Sequence, residues 1–168
     1  MNYIIKNIFI ILILLNTAYS QVYMYKNKSG KMYLTNILKK NNSNNAITTT
    51  SSKGEVESRL AKFPEVYSRF DGKIITRSDV KHLKPHPESI NKASTIMNIP
   101  IERLVMVGDL HSDILMGKEV NSLTIAVLTG IFSKEQFLEY EPDFILDSVA
   151  GIPDIFDHIM EKLNNKKE

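Results

Sequence analysis

An α/β fold, built on a parallel sheet flanked by helices, is the architecture this sequence predicts. From Ala46 onward, short apolar runs alternate with stretches of helical periodicity at the spacing of βαβ units. Leu104-Val105-Met106-Val107 contains no polar residue, the pattern of a strand buried on both faces of a parallel sheet. The composition is that of an ordinary globular chain, 43% hydrophobic and 24% charged over 168 residues. That length suits one medium domain, or a small domain with an appendage. The absence of Cys excludes a disulfide scaffold, a thiolate zinc site and a Cys nucleophile.

Charge divides the chain. Residues 1–54 carry seven Lys and no Arg, Asp or Glu, a sum of +7, while the rest sums to −5. Such a split marks two segments of different character. The positive charges are too dispersed and too Asn-rich for a nucleic-acid groove. At the start, Lys6 precedes the apolar run Ile8–Leu15, and Ala18 and Ser20 are small residues at signal-peptidase spacing, which puts a cleavage before Gln21. The run is shorter than the roughly 20 apolar residues of a spanning helix. An uncleaved anchor or a buried central strand fits the same run. Residues 1–20 are thus expected to direct export to a periplasmic or secreted location, or to tether the chain with a membrane contact through residues 7–19. Tyr23, Tyr25, Tyr33 and Thr35 alternate at period two around Asn27-Lys28-Ser29-Gly30, a β-hairpin signal over residues 21–38. That hairpin resembles a short secreted module, and an exposed hairpin without chemistry accounts for it better. Residues 39–45 are a polar linker.

The body, residues 46–164, reads as follows. Ala46–Thr49 is a first strand. Ser52 and Glu55 form a capping box that opens a helix reaching about Phe63. Lys73–Thr76 is a second strand. Pro87–Asn98 is a helix with Ile90, Ala93, Ile96 and Met97 on one face. Leu104–Val107 is a strand, Ser112–Val120 a helix, and Leu123–Val127 a strand. Ser133 with Gln136 caps a further helix. Phe144–Leu146 is a last short strand, Ile152–Leu163 a terminal helix, and 165–168 a tail.

Folds of this kind place ligands beyond the carboxyl ends of strands. There stands Gly108-Asp109-Leu110-His111-Ser112-Asp113. A helix starting between Asp109 and Asp113 brings both carboxylates to one side, and paired hard oxygen donors suit Mg²⁺. Acidic residues at a helix start are also favoured by the dipole alone. Upstream, Lys84 lies in Lys84-Pro85-His86-Pro87-Glu88, where two prolines restrict the backbone. An ammonium placed so can neutralise charge developing on a phosphate.

Residues 46–156 resemble the C-terminal half of a haloacid-dehalogenase-like phosphatase core, a Rossmann-like fold, in its phosphoglycolate-phosphatase-like branch. Thr49, followed by Thr50-Ser51-Ser52-Lys53, matches the phosphoryl-binding second motif, with Thr48, Thr50 and Ser51 as rival hydroxyls. Lys84 matches the third motif, and Val107-Gly108-Asp109 through Asp113 the acidic fourth. Thr129-Gly130 and Pro142–Ser148 fit the closing segment. The resemblance implies a Mg²⁺-dependent phosphomonoester hydrolase acting on a small phosphorylated metabolite. Lys84 would be catalytic, Thr49, Thr50 and Lys84 would hold phosphate, and Asp109 and Asp113 would hold the metal. Enzymes of this kind are cytoplasmic, at odds with an export signal.

The resemblance also implies an initial strand ending in Asp-x-Asp, whose first Asp attacks phosphorus and whose second acts as general acid and base. No carboxylate precedes Glu55 in this chain. The apolar run Ile8–Leu15 ends at Asn16, whose amide does not replace an attacking carboxylate. His86 and His111 are bystanders rather than substitutes. The chain is therefore expected to be inactive alone, or to be a non-catalytic exported binding or structural protein, or a fused or truncated frame.

Overall fold

The computed structural model describes residues 9–13, 44–61, 64–70 and 72–165. The expected hairpin over 21–38 and the tail from 166 lie outside the described residues. Among the described residues six strands follow the apolar runs: β1 Phe9–Ile13, β2 Asn44–Thr48, β3 Ile74–Ile75, β4 Leu104–Gly108, β5 Leu123–Val127 and β6 Phe144–Leu146. The helices are α1 Lys53–Leu60, α2 Pro64–Tyr67, α3 Glu88–Met97, α4 His111–Glu119, α5 Lys134–Leu138 and α6 Phe156–Asn165.

All pairings are parallel, and the strand order is β3-β2-β1-β4-β5-β6. The slot between β2 and β4 is filled by β1, with Ile11 beside both Ala46 and Met106. Within the Ile8–Leu15 run, Phe9–Ile13 thus takes the place of a central strand. Pairing with β1 also draws Asn44 and Asn45 into the ladder, so β2 starts before the expected Ala46.

Side chains alternate across the sheet as the pleat requires. Leu104 and Met106 of β4 pack with Ile90, Ala93 and Met97 of α3 and Met116 of α4. Val105 and Val107 point the other way, onto Ile159 and Leu163 of α6. A third cluster joins Ala126 of β5 to Ile114 of α4 and Phe137 of α5. Gly117 lets α4 lie close to the sheet, since a Cβ there would stand 2.6 Å from Thr124 Cγ2 and 3.0 Å from Met106 Cβ.

Both expected capping boxes form, Ser52 with Glu55 and Ser133 with Gln136. The first helix stops at Leu60, short of Phe63. Ile96 departs from expectation, being 49% exposed while Ile90, Ala93 and Met97 are buried. At about 100° per residue it stands on the rim of that stripe rather than within it. The terminal helix begins at Phe156, after a 3₁₀ stretch over Val149–Ile155 that contains Pro153.

Candidate functional site

Chain order reverses at β1, where β2 lies on one side and β4 on the other. Crevices for ligands open at such points, outside the carboxyl ends of the strands. Thr48 ends β2 and Gly108 ends β4, so Thr49 and Asp109 are the next residues along at this edge. Lys84 reaches it from the loop between β3 and α3, and Asp113 from the first turn of α4.

Lys84 is the centre of the arrangement. Its Nζ donates to the Thr48 carbonyl at 2.9 Å and lies 3.1 Å from Asp113 Oδ1. The ammonium is nearly enclosed, with 6% of the side chain exposed against 1% for Asp113. Burial lowers the Lys84 pKa below its usual value, opposed by the charges of Asp113 and Asp109. The Lys84–Pro85 peptide is cis. Asp113 Oδ2 accepts from the Leu110 N–H at 3.2 Å, so this carboxylate fastens the turn entering α4 as well as the lysine.

Two glycines admit the carboxylates. A Cβ on Gly108 would stand 2.3 Å from Asp113 Cβ, and one on Gly130 would stand 2.2 Å from Asp109 Oδ2. Neither contact is one a Cβ can make, so β4 and the loop after β5 close on the acidic pair only because these residues are glycine. Asp109 is buried, and its Oδ1 has no hydrogen-bond partner among the described residues. Burial, with the nearby Asp113 charge, raises its pKa to about 7. A buried carboxylate with an unmet oxygen is a hard donor that a small divalent cation would satisfy. The donor set at Asp109 therefore fits the Mg²⁺ that the resemblance implies. Asp113 is more fully engaged, by Lys84 and by Leu110.

On the β2 side, the Thr49 hydroxyl accepts from the Ser51 N–H at 3.1 Å, shaping the turn into α1. Thr49 and Ser51 are buried and Thr50 is half-buried. The Thr48 hydroxyl is buried with no hydrogen-bond partner among the described residues. Thus Lys84 and Asp113 are paired with the charge of Asp109 close by, and the Thr48 carbonyl joins the pair to the turn bearing Thr49 and Thr50. That carbonyl, the acceptor for Lys84, was not among the expected groups, because a main-chain acceptor leaves no mark on residue type. Of the two histidines, His111 packs its ring against Phe132 and Tyr140, at centroid separations of 5.1 and 5.4 Å. His86 stacks on His82 at 4.4 Å, away from this network.

Residues 83–152 match the family described as HAD-hydrolase-like. The chain is 36% identical over 115 residues to the pyrophosphatase PpaX of Bacillus cereus, covering 68% of this chain and 52% of that protein. It spans about half the length of the curated relatives it matches. In structure it is similar to a hydrolase from Pseudomonas syringae, with a TM-score of 0.68 at 20% identity, covering 76% of this chain and 57% of that one. It is also similar to a "predicted phosphoglycolate phosphatase" from Haemophilus somnus, with a TM-score of 0.65 at 21% identity, covering 72% and 53%. The chain is thus similar to HAD-like hydrolases over residues 83–152 and to PpaX over about half of that protein's length, and it shares the α/β fold of the solved structures.

Proposed function

We propose that this chain is the phosphate- and metal-holding half of a HAD-like phosphohydrolase, and that alone it binds a small phosphorylated ligand without turning it over. Inorganic pyrophosphate is the first ligand to test, by similarity to the PpaX relative. The observation that carries the reading is the enclosed Lys84 ammonium, held by Asp113 and the Thr48 carbonyl at the carboxyl edge beside Asp109. Lys84 supplies positive charge to a phosphoryl oxygen. Thr49 and Thr50, in the turn after β2, offer hydroxyl and backbone donors to the same group. Asp109, with Asp113 behind it, would hold Mg²⁺. The bound ion would polarise a phosphoryl oxygen.

The attacker is what is lacking. Covalent phosphoryl transfer requires a nucleophile; the resemblance puts that carboxylate at the end of the central strand, and residues 1–54 contain no Asp or Glu. Binding without hydrolysis follows. The test is calorimetric titration of the full chain with pyrophosphate in the presence of Mg²⁺. Binding is expected, and it should weaken at least tenfold in Lys84→Met with the fold retained by circular dichroism. Equal affinity for both forms would refute the assignment of Lys84.

A further inference from the structure

Apart from this network, the loop that carries Lys84 presents a second group of donor atoms on its outer side. His82, His86 and Glu88 each offer one ligand atom, and the three atoms lie within 4.8 Å of one another. Both histidines are exposed, and Glu88 is half-buried. The two histidines line a shallow depression together with Leu83, Pro85 and Glu119.

The group is held before any ligand arrives. The Glu88 carboxylate accepts from the His82 N–H at 2.9 Å and from the Lys81 N–H at 3.0 and 3.1 Å. Its Oε2 is 3.2 Å from His82 Nδ1, which orients that ring. His86 Nδ1 accepts from the Glu88 N–H at 3.2 Å, and Pro85 and Pro87 flank this histidine. The two rings stack at 4.4 Å with a 30° tilt. The hydrogen bonds from the His82 and Lys81 backbone hold the Glu88 pKa at about 2, so the acid stays ionised at neutral pH.

We propose that His82, His86 and Glu88 form a surface site for one divalent transition-metal ion of the Zn²⁺ class. Two imidazoles and one carboxylate are a donor set suited to such an ion, with open positions left for water. Mg²⁺ is excluded by preference, since it takes oxygen donors and loses its waters reluctantly. The three donor atoms need only a small inward movement to reach bonding distance. The ion displaces Lys92, whose Nζ lies 3.3 Å from Glu88 Oε1 and also donates to the Asp79 carbonyl. Because His82 and His86 flank Lys84 in the loop and Glu88 opens α3, the ion ties that loop to the first turn of α3.

The test is titration of the full chain with Zn²⁺ alone, then with Mg²⁺ in large excess. One Zn²⁺ per chain is expected, not displaced by Mg²⁺, together with a rise in melting temperature. The His82→Ala/His86→Ala double variant should lose at least tenfold in affinity and lose the thermal shift. Glu88→Gln should weaken binding by about tenfold or more. Asp109→Asn, altered only in the buried acidic network, should bind Zn²⁺ as the unchanged protein does. Zn²⁺ binding that survives in the double variant, or that disappears in Asp109→Asn, would overturn the proposal. So would the absence of any Zn²⁺ binding.

Discussion

The unmet Oδ1 of Asp109 has a consequence for stability. With its pKa raised from the usual 3.8 to about 7, the folded chain binds this proton more tightly than the unfolded chain does. Stability from this group is therefore full in acid and is lost as pH rises toward and through 7. Urea denaturation in EDTA should show the metal-free protein losing stability between pH 5 and pH 8. Asp109→Asn should flatten that dependence, because a neutral amide has no proton to lose. Added Mg²⁺ should restore stability at pH 8 in the parent chain and not in the variant. A parent chain equally stable at both pH values would contradict the burial of the charged form. At this scale the residue types were legible from sequence. Asp109, Asp113 and Lys84 stand in local patterns of Gly and Pro that betray close turns. The Thr48 carbonyl and the fit of Gly130 against Asp109 were not, because both depend on contacts between distant segments.

Strand β6 is short, three residues on the edge of the sheet, and a polar latch secures it. Asp143, just before it, accepts at Oδ2 from the Thr124 N–H at 2.8 Å and from the Thr124 hydroxyl at 3.1 Å, while Lys162 of α6 lies 3.1 Å from Oδ1. Burial alone would raise the Asp143 pKa, but the Thr124 N–H and Lys162 outweigh it and hold it below 3.8. A depressed carboxylate stabilises above its unfolded pKa and ceases to as pH falls through the folded value. Asp143→Asn should therefore cost on the order of 1 kcal/mol at pH 7, a difference that shrinks at strongly acidic pH, where the carboxyl is protonated. Urea melts at the two pH values measure it, and a variant as stable as the parent at pH 7 would show that the latch contributes nothing. Elements were read well wherever an apolar run or a capping pair marked them, as with β4, β5 and the Ser133 helix. Ile96 was misassigned because periodicity gives the direction of a helix face and not its width.

The whole molecule turns on β1. Its backbone pairs with β2 over Phe9–Ile13 and with β4 over Phe9–Leu12, so it closes the middle of the sheet. Periodicity alone left this run open between strand, anchor and cleaved signal, since its partners lie more than thirty residues away in sequence. The two fates of residues 1–20 lead to different proteins. A chain lacking them would expose the facing edges of β2 and β4, and each buried backbone group left unpaired costs about 1–3 kcal/mol. A handful of these rivals the stability of a typical domain, about 5–15 kcal/mol. Residues 21–168 alone should therefore fail to give a cooperative melt, whereas a melt matching the full chain would show that the sheet does not need β1. The same strand carries the central claim about function, because it occupies the place where the resemblance puts an attacking carboxylate and this chain has none. The direct measurement is release of phosphate from pyrophosphate and from an aryl phosphate by the purified full chain with Mg²⁺, with Asp109→Asn as the background. The account predicts release no faster than that background, although pyrophosphate binds. Sustained turnover, abolished by EDTA and absent in Asp109→Asn, would contradict it and show that this chain supplies an attacker of its own.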